Sequence, residues 1–170
     1  MKNFVIRQNV KLSAFLMFMM MNLFLSASAS AQNVKVADYK ALLRKNEQTS
    51  QGKTSEVQNL VSNLLPTIFL ENEKVASFDA DAISIETDCQ SFSKIVSIDK
   101  KTTDVQIVKI KLSDKSELNS KFDLSSLSNL PKLKYIYIIC PFEVQETQIS
   151  NMFKGTNPRV TVIYSAAIPN

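Results

Sequence analysis

The chain has no histidine, only two glycines (Gly52 and Gly155) and only two cysteines (Cys89 and Cys140). Without histidine, a serine or cysteine nucleophile lacks its usual base, which removes the common hydrolytic triads. Two cysteines and no imidazole cannot make the usual zinc ligand sets. Two distant glycines cannot build a glycine-rich phosphate loop. These absences predict a protein that is not an enzyme and carries no cofactor and no metal.

The chain also has little net charge once its first residues are set aside. Lys2, Arg7 and Lys11 lead an apolar run from Leu12 to Leu25, and the small-residue stretch Ser26–Ala31 follows with an A-x-A pattern at Ala29-Ser30-Ala31. This is the layout of an export signal, and the run is too short to cross a bilayer as a helix. Residues 1–31 are therefore expected to be cleaved, leaving no stable membrane anchor and an exported protein, periplasmic or secreted. The leader holds three of the 20 Lys and Arg and none of the 16 Asp and Glu, so the formal +4 falls to +1. Such a balance gives no field to attract nucleic acid.

What is present is a period. Strand-like hexamers recur at Ala80–Ile85, Ile107–Leu112, Leu133–Ile138 and Arg159–Tyr164, with first residues 27, 26 and 26 apart. Each has a β-branched residue at its fourth position: Ile83, Ile110, Ile136 and Val162. A fixed period implies stacked units that bury a shared core. Apolar stretches within Ser91–Ser97, Leu124–Leu130 and Val144–Phe153 read as short helical crossovers between parallel strands, and Pro131 and Pro158 end two of them just before the next strand.

The run Leu124-Ser-Ser-Leu127-Ser-Asn-Leu130-Pro-Lys-Leu133-Lys-Tyr-Ile136-Tyr-Ile138 resembles leucine-rich repeat proteins, with helix-side leucines leading into an L-x-x-L-x-L strand. The resemblance covers about Ala80–Tyr164 and is strongest in that central unit. The family's Asn or Cys after the strand is replaced by Asp88, Lys115 and Pro141. It implies an α/β fold: a short leucine-rich-repeat-like βα solenoid with four parallel strands and an N-terminal helical cap. Its combination with a leader and few repeats also resembles small exported bacterial proteins of no known activity.

Residues 32–78 are expected to form that cap, in one domain with the repeat region 79–170. Val36, Tyr39, Leu42 and Leu43 fall on one helical face. A second helix starts at Thr54 or Ser55 and carries Val57, Leu60, Val61, Leu64 and Leu65 until Pro66 stops it. Thr67–Leu70 and Val75–Phe78 read as two strands of a hairpin. Cys89 and Cys140 follow the first and third repeat strands, about 9.6 Å apart at about 4.8 Å per strand. A disulfide wants Cα atoms within about 6.8 Å, so a bridge requires the loops to converge.

Two surfaces invite a function. Asp79, Asp81, Glu86 and Asp88 cluster around the first repeat strand; paired carboxylates serve glycoside hydrolysis, while their plainer role is solvation or hydrogen bonding to the backbone. With strand positions one, four and six turned inward, positions three and five present Lys109 and Lys111 beside Tyr135 and Tyr137, then Thr161 and Ile163. Such a face suits a protein, peptide or glycan partner. The last strand, Arg159–Tyr164, is followed by too little chain for a capping helix, so either the tail folds over that edge or a second copy pairs with it as a homodimer. Together these features predict an exported, non-catalytic binding module. A carboxylate-based carbohydrate-active hydrolase and a structural envelope component are the alternatives.

Overall fold

In the computed structural model, residues 34–49, 55–98 and 102–167 are described; the expected leader and the polar segment 50–54 lie outside them. The fold is mixed α/β around an open seven-stranded sheet, β1 (Val36–Asp38), β2 (Thr67–Glu71), β3 (Lys74–Ser77), β4 (Ser84–Asp88), β5 (Ile107–Lys111), β7 (Tyr135–Cys140) and β9 (Thr161–Ala166), with order β1-β9-β7-β5-β4-β2-β3. All neighbours are parallel except the β2–β3 hairpin. Two short strands, β6 (Phe122–Asp123) and β8 (Phe153–Lys154), pair separately. The four expected repeat strands overlap β4, β5, β7 and β9, which are adjacent and in chain order; the first, expected at Ala80–Ile85, shares only Ser84 and Ile85 with β4.

The sheet is wider than those four strands. β2 extends it in parallel with β4, so the expected hairpin belongs to the sheet itself. Its turn, Asn72-Glu73, has φ of 50° and 62°, the two positive values that a tight two-residue hairpin requires. At the other end, Val36, expected in a helix, begins β1 and pairs with Val162. The helix starts only after Asp38, whose carboxylate accepts from the Ala41 N–H at 2.8 Å and so caps it. β1 therefore lies along part of β9, so the stretch Arg159–Tyr164 of the expected homodimer is paired within the chain from Val162 to Tyr164.

Register also departs from the hexamer alignment. Ile85, Val108, Ile136 and Val162 stand side by side, so the first two strands are each offset by two residues, in opposite directions. Even offsets preserve which face a side chain occupies. One core face therefore carries Ile68, Leu70, Ile85, Val108, Ile110, Ile136, Ile138, Val162 and Tyr164, all buried. It is covered by 3-10 segments at Ser91–Ser97 and Leu124–Asn129 and by α3 (Glu146–Asn151), which bring Phe92, Ile95, Leu124, Leu127 and Ile149 onto it. Phe122 bridges Phe92 and Phe153, with ring centroids 4.5 and 5.5 Å away. Ile107, expected on this face, turns to the opposite one.

That opposite face has its own cover. Helices α1 (Tyr39–Thr49) and α2 (Glu56–Ser62) lie on it, and Val57 and Leu60 are buried against Ile107, Tyr137 and Ile163. The Ser55 hydroxyl caps α2 by accepting from Gln58 N–H, and the helix stops at Ser62, leaving Leu64 fully exposed. The cap thus sits across the strands rather than at the end of the stack. Gly155 has φ +73°, and a Cβ there would come within 2.6 Å of the Asp123 carboxylate, so only glycine fits. Cys89 and Cys140 are free thiols, and burial, first among the causes, pushes them up to about 12 and about 11.

Candidate functional site

The strands themselves explain why the second face is closed at one end and open at the other. β7 reads Tyr-Ile-Tyr-Ile-Ile-Cys and β9 reads Thr-Val-Ile-Tyr-Ser-Ala, nearly continuous apolar runs of the kind found in strands buried on both faces. β4 reads Ser-Ile-Glu-Thr-Asp, apolar and polar in alternation. Cover is needed over β7 and β9, and that is where α1 and α2 lie.

The six residues expected to form one open surface are consequently divided. Ile163 is wholly buried and Tyr137 is 8% exposed, its ring 5.5 Å from Tyr39 and its hydroxyl donating to Ser165 at 2.8 Å. Tyr135 and Thr161 are half-buried. Lys109 stands beside Tyr137 rather than Tyr135 and reaches under the end of α2, where its ammonium donates to the Val61 carbonyl at 3.3 Å. Burial pushes its pKa below the usual lysine value; Glu86 pulls it back up and Lys111 lowers it further. Lys111 alone remains exposed, paired with Glu86 on the neighbouring strand. The expectation of a single open lysine–tyrosine face is thereby corrected.

The rim at the carboxyl ends of the parallel strands is open. One hollow, about 230 Å³, is lined by Phe69, Glu71, Glu86, Asp88 and Lys111. A second, about 450 Å³, lies between the 3-10 segment Lys115–Asn119 and α3, lined by Lys115, Leu118, Glu143, Val144 and Gln148. Its walls are fixed locally. Asp114 caps the 3-10 segment by accepting from Ser116 N–H at 2.7 Å, and Gln148 accepts from Gln145 N–H at 2.9 Å in a reciprocal cap of α3. Both hollows flank Ser113–Leu118, and their linings mix carboxylates, amides, ammonium groups and apolar floor.

Two of the four carboxylates around β4, Asp79 and Asp88, are occupied by the backbone. Asp79 accepts from Thr67 N–H at 2.6 Å and so anchors the start of β2. Asp88 accepts from Ser91 N–H at 2.6 Å and Asn72 N–H at 3.2 Å, tying the hairpin turn to the first 3-10 segment. Burial opposes the charge on Asp88, but the Ser91 N–H and hydroxyl, with the Asn72 and Gln90 N–H groups, outweigh it and hold the carboxyl below its usual range. Such an acid gives up no proton near neutrality. Among the described residues, no group of three or more His, Cys, Asp or Glu is placed to hold a metal ion.

Sequence reasoning missed Phe69, Glu71 and the Glu143–Gln148 wall, because the rim is assembled from the ends of separate strands. The one signal available was the change from continuous to alternating apolar pattern between β7 and β4. Compared with known proteins, the chain matches no family model, and neither a curated protein nor a solved structure matches it.

Proposed function

We propose that this protein is an exported, non-catalytic binding module, built as a short leucine-rich-repeat-like stack, that engages a protein, peptide or glycan partner at the carboxyl-end rim of its sheet. The observation that carries this reading is the contrast between the strand face over the later strands, closed by α1 and α2, and the rim, which keeps two hollows open. In open α/β sheets the crevice beyond the carboxyl ends of the strands is the usual place for a ligand. Mixed linings of ammonium, carboxylate, amide and aromatic groups suit polar partners with some apolar surface. The near-neutral mature charge supports a partner other than nucleic acid.

Carboxylate hydrolysis has less to stand on. Asp79 and Asp88 are committed to backbone N–H groups and Glu86 to Lys111, so none is poised as a general acid. The test is capture by immobilised residues 32–170 from the organism's envelope and secreted fractions. A Lys111→Glu/Glu143→Lys variant at the rim is expected to keep its circular dichroism and lose the partner that the parent retains. A partner held equally by both would place binding elsewhere.

A further inference from the structure

The short strand β1 and helix α1 form a strap that is held more lightly than what it covers. No residue from Val34 to Lys45 is buried, whereas Val162 and Ile163 beneath it are wholly buried. The strap's ladder spans Val36–Asp38 against Val162–Tyr164, beginning with the Val162 N–H donating to Lys35 O at 2.9 Å. β9 itself runs from Thr161 to Ala166. Alternation along a strand turns the backbone N–H groups of Val162, Tyr164 and Ala166 to the strap side, while those of Thr161 and Ala167 donate to Lys134 and Cys140 in and beside β7. β1 ends opposite Tyr164, because Asp38 caps α1 and turns the chain away. Ser165 and Ala166, two of the six β9 residues, thus extend past β1.

We propose that this edge is a docking site for an extended segment of another protein, which pairs in parallel along Thr161–Ala166 and displaces the three-residue strand. Continuity with the β1 ladder defines its chemistry. It carries an apolar residue beside Val162, a small one beside Ile163 as Val36 and Ala37 do, and it continues as strand where this chain turns into α1. A second copy of the chain is the weaker occupant. Its strap would make only the same three pairings, and an attached strap competes at an effective concentration on the order of millimolar. A longer strand gains pairings that the strap lacks, in the manner of strand addition to an open sheet edge.

The test uses residues 32–170 bearing Ala37→Cys and Ile163→Cys, which are cross-strand partners, so that oxidation locks the strap and reduction frees it. The probe is a fluorescent synthetic peptide that carries Lys35-Val36-Ala37 and continues Val-Thr-Val. Saturable binding to the reduced form, at least tenfold weaker in the oxidised form, is expected. Absence of binding to the reduced form, or equal binding to both, overturns the proposal. Should the double variant not fold, amide exchange on the unsubstituted chain decides. Exchange at Ala166 slows with peptide if the edge is used, and unchanged exchange there contradicts it.

Discussion

Tyr137 and Lys109 are neighbours on one sheet row, yet their burial has opposite energetic meaning. Tyr137 brings an apolar ring under α1 with its hydroxyl satisfied by Ser165. Removing such a ring from a packed site costs about 3 kcal/mol or more, so Tyr137→Ala is expected to shift chemical denaturation by that amount. Lys109 brings a charge under α2 with one helix carbonyl as acceptor. Its depressed pKa means that the unfolded chain binds the proton more tightly, so stability rises as pH climbs from the folded value toward the ordinary lysine value. Lys109→Met is expected to be neutral or stabilising near pH 7 and to abolish that alkaline rise, as read from denaturation midpoints between pH 7 and 10.5. Asp88 gives a slope of the same sign, but in acid, and its contribution near neutrality is favourable. Its lowered carboxyl contributes stability above the ordinary aspartate range, which is lost as pH falls through the folded value. Asp88→Asn should therefore be less stable than the parent at pH 7 and converge with it in acid. Lys111→Ala, an exposed surface pair, should change stability by less than about 1 kcal/mol.

At the scale of elements, the hairpin, the second helix and the four parallel strands are legible in the sequence because each obeys a local rule. The hexamer period marks β5, β7 and β9, Ser55 marks the start of α2, and the Glu71–Lys74 stretch marks a turn between two apolar runs. What is not local was missed. Val36 reads as helical by spacing, and only its pairing with Val162, over a hundred residues away, makes it a strand. Near-constant spacing of hexamers suggested one register, but the connections differ in length and the true register follows burial. Face occupancy survived at the fourth and sixth positions of the last three hexamers, because strand parity is insensitive to even shifts. Ile83 and Ile107 instead pack on the opposite face, and exposure was not legible, because parity cannot say whether a helix will cover a face. The β3 edge shows deliberate blunting: four residues, one of them Lys74, next to an irregularity between Phe69 and Leu70. Gly155 is the element-scale position with least freedom. Gly155→Ala is expected to destabilise by about 1 kcal/mol or more through its left-handed backbone and its contact with Asp123, as checked by thermal melting.

For the folded unit from Asn33 onward, the consequence is a sheet closed on both faces over its later strands and open on one face over its earlier ones. The proposed binding site thereby moves from the strand face to the rim, and β1 and α1 form a strap laid along the final strand. The claim that the sequence-predicted face is interior can be read directly by thiol labelling of single-cysteine variants at positions 111, 137 and 163, in a background with Cys89 and Cys140 replaced by alanine. Labelling at 111 should proceed as in an unfolded chain, and labelling at 137 and 163 should be slower by at least a hundredfold. Equal labelling at all three positions would mean that α1 and α2 do not cover the strands, and the account would fail.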